Sequence, residues 1–305
     1  MHILLKHPLC FIFYIKYIVQ NNKIKSIIDN IYFLCYISLI YIEVHIMKKI
    51  IVANWKGGCG KTTTASALAS GLKSRGYRTL VIDLDPQGNL TTTTGAEEDS
   101  IEKTIKEFLQ GEPLENIIIK SQMGDVIPCD LNLLDADRVF TQVGAIRMLK
   151  KALAKVEDNY DYCIMDAPPH PGILALNGLV ACDYVLIPVH AAIFSIAGVI
   201  YLEKILDEVK EDENPDIKVI GILLTRYNSR TKFGKHAADY LANLSNALST
   251  SLFDTTIRQG VAVEQTQADG TDVITGAPDS KVAQDYEKFI DEFIERINKE
   301  EAKNE

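Results

Sequence analysis

The chain predicts a doubly wound α/β domain, a mostly parallel β-sheet with helices on both faces. Three observations carry this. Short, continuous apolar runs recur through residues 47–305, as expected for strands buried on both sides. Stretches of helical period separate them. The first run, its turn, the helix and the second run together span about thirty residues, the size of one parallel strand–helix–strand unit.

The elements follow in order. Residues 49–53, Lys-Ile-Ile-Val-Ala, read as a strand that ends in a Gly-rich turn. Residues 62–75 read as a helix with Ala65, Leu68, Ala69 and Leu72 on one face, closed near Gly76. Residues 78–82 form the second strand, and similar runs recur at 162–165, 184–189 and 218–224. Helices are expected at 145–156, 195–209 and 232–248. The last, 280–298, carries Tyr286, Phe289, Ile290, Phe293, Ile294 and Ile297 on one face. No repeat, low-complexity tract or Pro/Ser-rich linker divides 47–305, so one domain is expected there.

With 305 residues, 47% hydrophobic and 24% charged, the chain has the composition of a globular protein. That excludes a disordered, collagen-like or disulfide-stapled class. A net charge of −9 argues against DNA binding as a bulk property and leaves room for a local basic patch. The six cysteines, at 10, 35, 59, 129, 163 and 182, form no CxxC and no Cys/His cluster of zinc spacing. They read as small buried residues in a reducing compartment.

Residues 1–46 have a different texture, with twelve Ile, five Tyr and three Phe. Only Lys6, Lys16, Lys23, Lys25, Asp29 and Glu43 are charged there. Neither apolar run is followed by the small-residue cleavage site of a signal peptide. Neither reaches the roughly 18 uninterrupted apolar residues of a membrane span. Ile, Tyr, Phe, Lys and Asn are what AT-rich codons encode, and Met47-Lys48-Lys49-Ile50 looks like a natural start. Residues 1–46 are therefore expected to be a non-native or mis-annotated leader outside the fold, and 47–305 the domain.

Between the first strand and helix lies Trp55-Lys56-Gly57-Gly58-Cys59-Gly60-Lys61-Thr62-Thr63. Three glycines in four residues let backbone amides turn inward and cradle phosphate oxygens, and the helix N-terminus adds its positive dipole end. Residues 56–63 are the expected nucleotide contacts. Lys61 can reach the β- and γ-phosphates, and the Thr62 hydroxyl can ligate Mg²⁺. The position five before Gly60 is Trp55 rather than the first glycine of the ordinary pattern, and an extra lysine, Lys56, sits beside it. A second ammonium serving the same nucleotide would be redundant, so Lys56 is either a solvated loop lysine or one that reaches a nucleotide held by a second subunit. This loop resembles the deviant Walker A loop of the ParA/MinD group of P-loop ATPases. In that group the first lysine acts across an ATP-sandwich dimer.

The second strand runs into Asp83-Leu84-Asp85-Pro86-Gln87-Gly88-Asn89. Carboxylates spaced i, i+2 point the same way from a strand, here beside the phosphate loop. One can support the metal, expected for Asp83, and the other, Asp85, can position a water against the γ-phosphate. Tyr162-Cys-Ile-Met-Asp166-Ala-Pro-Pro169 ends an apolar strand in an acid, the pattern of a Walker B partner for Mg²⁺. The catalytic expectation is Lys56, Lys61 and Asp85, with Thr62, Asp83 and Asp166 around the metal.

These segments, with 166–177, 183–188, 225–231 and the stretch from Ile257, are similar to the Soj-like ParA partitioning ATPases in the same order. The departures are Trp55, Cys59 and His190-Ala191-Ala192. The resemblance implies a Mg²⁺-dependent ATPase that hydrolyses ATP to ADP and phosphate and closes as an ATP-sandwich homodimer. It also implies non-specific DNA binding, stimulation by a ParB-type centromere-binding protein and a cytoplasmic, nucleoid-associated location. Arg230 and Arg258 match the family's DNA-contacting arginines. They belong to a basic cluster with Arg226, Lys232, Lys235 and His236, expected to lie away from the phosphate loop. A MinD-like, membrane-associated division-site ATPase is the alternative. It requires a basic amphipathic C-terminal helix, whereas 285–305 is rich in Asp and Glu, so no membrane partner is expected. An iron–sulfur reductase would need paired cysteines that the chain lacks.

Overall fold

The computed structural model describes residues 47–97, 100–190, 193–227 and 232–303. The expectation of a leader at 1–46 falls outside the described residues. Ile46–Glu305 forms one compact unit.

Seven strands form one sheet in the order β3-β4-β2-β5-β1-β6-β7. They are β1 Lys48–Val52, β2 Thr79–Asp83, β3 Ile119–Ser121, β4 Gly124–Ile127, β5 Tyr162–Asp166, β6 Tyr184–His190 and β7 Lys218–Thr225. Every pairing is parallel except that of β3 with β4. This edge hairpin is not anticipated from the sequence, because its strands are three and four residues long and only half apolar. The main helices are α1 Lys61–Ser74, α2 Ile173–Ala181, α3 Ile193–Asp212, α4 Lys232–Ala247, α5 Val261–Ala268 and α6 Lys281–Glu301.

The connection after β1 runs through α1 to β2, on one side of β5, while that after β5 runs through α2 to β6, on the other side of β1. Right-handed crossovers in opposite directions put their helices on opposite faces. Ile50 and Val52 accordingly pack with Leu68 and Leu72 of α1 and Phe289 and Phe293 of α6. Ile51 faces the other layer, with Leu174 and Leu179 of α2. β1 and β5 are neighbours whose connections diverge, so a crevice opens at their carboxyl ends.

The two layers are close-packed. A Cβ on Gly178 of α2 would stand 2.5 Å from Ile51 Cδ1 and 2.8 Å from Leu84 Cδ1, so only glycine lets α2 lie this near the sheet. The apolar face of α6 is spent inside the molecule: Tyr286, Phe289, Ile290, Phe293 and Ile297 are all buried.

One expected helix is interrupted. Residues 145–156 form a 3₁₀ turn, Ala145–Arg147, and a short helix, Met148–Leu153. In a continuous α-helix the Leu149 amide would donate to the Ala145 carbonyl. Here the buried side chain of Asn177 intercepts both groups: its Oδ1 accepts from Leu149 N at 3.0 Å and its Nδ2 donates to Ala145 O at 2.9 Å. A contact from α2 thus overrides a helical period that is clear in the sequence.

Candidate functional site

The turn from β1 into α1 needs glycine at two positions. Gly58 and Gly60 have φ of 72° and 90°, a left-handed backbone that side-chain-bearing residues avoid. Gly60 is the N-cap of α1 and has no side chain to satisfy the first-turn amides, which leaves them for an anion. The loop borders a cavity of about 490 Å³ at the carboxyl ends of the strands, lined also by Lys61, Thr62, Asp85, Pro169 and Thr225. Lys61 is 7% exposed, and its ammonium donates to the Lys56 carbonyl at 3.2 Å. The Cys59 thiol is buried and donates to the same carbonyl at 3.1 Å.

Thr62 and Asp166, both expected around the metal, are in direct contact. Thr62 Oγ1 donates to Asp166 Oδ2 at 2.6 Å, and Asp166 is wholly buried at the end of β5. Its other oxygen, Oδ1, has no hydrogen-bond partner among the described residues. Burial pushes the Asp166 carboxyl well above the usual carboxylate range, with the nearby Asp83 carboxylate adding to the effect. A buried carboxylate oxygen without a protein donor, beside a threonine hydroxyl, is what a divalent cation or its water shell would satisfy.

The two acids of the second motif separate. Asp85 lines the cavity and is 8% exposed, with Oδ1 accepting from the Gln87 amide at 3.1 Å. Asp83 is wholly buried, as Asp166 is, and neither lines the cavity. Both its oxygens are taken by donors of Thr91 and Asp85. Asp83, expected around the metal, is thus held by hydrogen bonds of its own. β2 ends at Asp83, so the i, i+2 rule of an extended strand does not carry on to Asp85. Burial raises the Asp83 carboxyl to about 7.

The basic cluster is also rearranged. Arg258 borders the phosphate-loop cavity rather than lying away from it, as does Arg226. Arg258 is clamped by Asp285 of α6, its Nε and Nη2 donating at 2.6 and 2.8 Å. Arg226 pairs with Glu264 of α5 at 3.7 Å. The charges counted from the sequence as a patch are thus partly neutralised by acids supplied from later helices. Arg230 lies outside the described residues, as do the side chains of Lys232, Lys235 and His236. Lys56 is exposed and off the cavity wall.

A family model described as an AAA domain matches residues 47–219. The chromosome-partitioning ATPase Soj of Thermus thermophilus is 35% identical over 251 residues, covering 82% of this chain and 97% of that one. The chain belongs to the ParA family of P-loop ATPases. The chromosome-partitioning protein ParA of Myxococcus xanthus is 33% identical, with 81% of this chain and 88% of that one covered. Among solved structures, cobyrinic acid a,c-diamide synthase of Mycobacterium smegmatis, with a bound ATP analogue and magnesium, superposes with a TM-score of 0.69. It is 29% identical, covering 81% of this chain and 93% of that one.

Within this ParA-family site, several contacts escape sequence reading. Thr225, ending β7, donates from its hydroxyl to the Cys59 carbonyl at 2.8 Å and so braces the phosphate loop from a strand 166 residues away. Gln267 of α5 donates to the Thr63 hydroxyl at 3.2 Å. Thr91 holds Asp83. None has a local signal: Thr91 is one of four consecutive threonines, Thr91 to Thr94, that pattern does not distinguish. Among the departures, the Trp55 ring packs half-buried on the core. His190 ends β6 opposite Thr225, while Ala191 and Ala192 lie outside the described residues.

Proposed function

We propose that this ParA-family ATPase binds ATP with Mg²⁺ and hydrolyses it to ADP and phosphate to drive DNA partitioning. In this reading ATP closes a homodimer that binds DNA without sequence preference. A ParB-type centromere-binding partner triggers hydrolysis and release, and the protein works on the nucleoid in the cytoplasm. The observation that carries the reading is the convergence of Lys61, Thr62 and Asp85 on one glycine-lined cavity at the strand ends, with Thr62 in turn hydrogen-bonded to Asp166.

The residues divide the work by their positions. Amides of 57–63 receive the phosphate oxygens, and Lys61 neutralises charge on the β- and γ-phosphates from a nearly buried, low-dielectric position. Thr62 and Asp166 would hold Mg²⁺, which supplies Lewis-acid neutralisation of the phosphate oxygens. A cation of this kind takes few protein ligands and keeps water and phosphate oxygens. Asp85 orients the attacking water. Lys56, exposed at the mouth of the loop, reaches the phosphates of the partner subunit's nucleotide.

The membrane-associated alternative is disfavoured by packing. An interfacial anchor needs a free apolar helix face, whereas that of α6 is buried against α1 and the sheet. Among the described residues no helix is long and apolar enough to cross a membrane. The names of the Soj and ParA relatives favour a chromosome as cargo.

The test pairs wild type with Asp85→Ala in a DNA-binding titration and an ATPase assay. Wild type is expected to bind duplex DNA of any sequence only with ATP or a non-hydrolysable analogue. Asp85→Ala is expected to bind ATP and DNA and to lose turnover by about two orders of magnitude. ATP-independent DNA binding, or none at low salt, contradicts the partitioning reading. Wild-type turnover by Asp85→Ala contradicts the role of Asp85.

A further inference from the structure

Asp83 stands at the last position of β2, wholly buried and away from the cavity wall. Its oxygens serve opposite ends of one loop. Oδ1 accepts from the Asp85 amide at 3.0 Å. Oδ2 accepts from the Thr91 amide at 2.9 Å and the Thr91 hydroxyl at 2.8 Å. The Thr91 hydroxyl also accepts from the Cys129 amide at 3.0 Å, tying the arrangement to the segment after β4. A hydroxyl has one proton, and the contact to Asp83 is shorter than the 3.4 Å contact to the Cys129 carbonyl, so Thr91 gives that proton to Asp83.

Burying a carboxylate is costly unless donors meet it, and here three donors from the chain do. An apolar residue would anchor the end of β2 to the core equally well. It would not hold the loop of residues 84–91 from both ends. Asp85 lies within that loop, facing the cavity, and its main chain is fixed twice more: its amide is held by Asp83 and its carbonyl accepts from the Gly88 amide at 2.9 Å. The short helix Asn89–Thr92 closes the loop, with Gly88 at its N-cap in a left-handed conformation.

We infer that Asp83 and Thr91 are positioning residues for ATP hydrolysis: the buried Thr91–Asp83 contact fixes the loop that presents the Asp85 carboxylate to the γ-phosphate. The inference rests on Asp85 being the water-orienting group. Neither residue touches nucleotide in this scheme. Their effect is on the placement of Asp85, so it falls on turnover and leaves ATP binding alone.

The test uses the full chain with DNA present and reads kcat, KM for ATP and the melting temperature. Because Asp83 variants risk misfolding, Thr91 carries it. Thr91→Val keeps the shape and the amide but removes the hydroxyl; it is expected to lower kcat about tenfold or more while KM stays within about twofold. Thr91→Ser, which restores the hydroxyl, is expected to recover turnover to within about threefold of wild type. In an Asp85→Ala background, Thr91→Val is expected to cost nothing further, since the group it positions is gone. The inference is overturned by wild-type kcat in Thr91→Val, by equal losses in the Val and Ser variants, by KM rising in step with the fall in kcat, or by additive losses in the double variant. An inactive Asp85→Ala with a fully active Thr91→Val sinks this inference alone. A fully active Asp85→Ala sinks the underlying reading with it.

Discussion

The Thr62 hydroxyl donates to the Asp166 carboxylate over 2.6 Å, joining the first turn of α1 to the end of a strand 104 residues later. In the proposed scheme this contact marks the metal side of the site, because it engages one oxygen of a buried carboxylate and leaves the other without a donor among the described residues. Thr62→Ala removes that donor and leaves Asp166 with none from its side-chain neighbours, a costly state for a buried carboxyl. The expected result is loss of Mg²⁺-dependent ATP turnover by about a hundredfold, with Thr62→Ser retaining most of it. A magnesium titration of ATPase activity with the two variants checks this, and an Ala variant as active as wild type contradicts it.

Lys61→Ala removes the nearly buried ammonium from the cavity wall. Charge-assisted contacts to phosphate are the strongest the loop offers, so calorimetry is expected to show no measurable ATP binding. Tight binding by this variant would rule out the nucleotide assignment of the cavity.

Lys56 is exposed and off the cavity wall, and the proposed scheme assigns it to the nucleotide of the partner subunit. Lys56→Ala is expected to bind ATP normally and to fail to dimerise on ATP. Light scattering with a non-hydrolysable analogue reads the outcome. A stable ATP-dependent dimer would remove the action across subunits.

The Arg258–Asp285 clamp makes a paired prediction about DNA. Arg258→Glu is expected to weaken ATP-dependent duplex binding and to flatten the log–log salt slope by roughly two units per dimer. Asp285→Asn frees the Arg258 charge from its partner and is expected to strengthen binding. Because Arg258 borders the nucleotide cavity, ATP affinity is measured alongside, and Arg258→Glu must retain it for the DNA effect to count. Unchanged DNA affinity and slope in both variants would put the DNA surface elsewhere.

Phe289 of α6 is wholly buried and meets Phe253 edge-on, with ring centroids 4.9 Å apart. Phe289→Ala is expected to cost about 3–5 kcal/mol in a denaturant titration, because the layer between α1, α6 and the sheet cannot collapse around the space left. A loss below about 1 kcal/mol would mean that α6 is dispensable to the fold, and would reopen it as a surface anchor.

Much of the site was legible because its chemistry is local. Lys56 to Thr63 are consecutive, and three glycines with a following helix define an anion cradle by backbone geometry alone. The strand-terminal position of Asp166 was readable from the apolar run before it, and the central parallel strands from their continuous hydrophobicity. The β3–β4 edge was not, since strands of three and four residues carry too little pattern.

What the sequence by itself determined is the phosphate loop, the set of acids near it and the alternation of strands and helices. Each follows from residues close together along the chain. Only the tertiary structure decided what each charged or polar group faces. It turned Asp83 inward to Thr91 and left Asp85 at the cavity; it gave Arg258 to Asp285; and it let Asn177 break a helix that the sequence pattern favours. The reason is physical: a buried polar group takes the donor or acceptor that packing brings within about 3 Å, and packing draws those partners from elements distant in sequence.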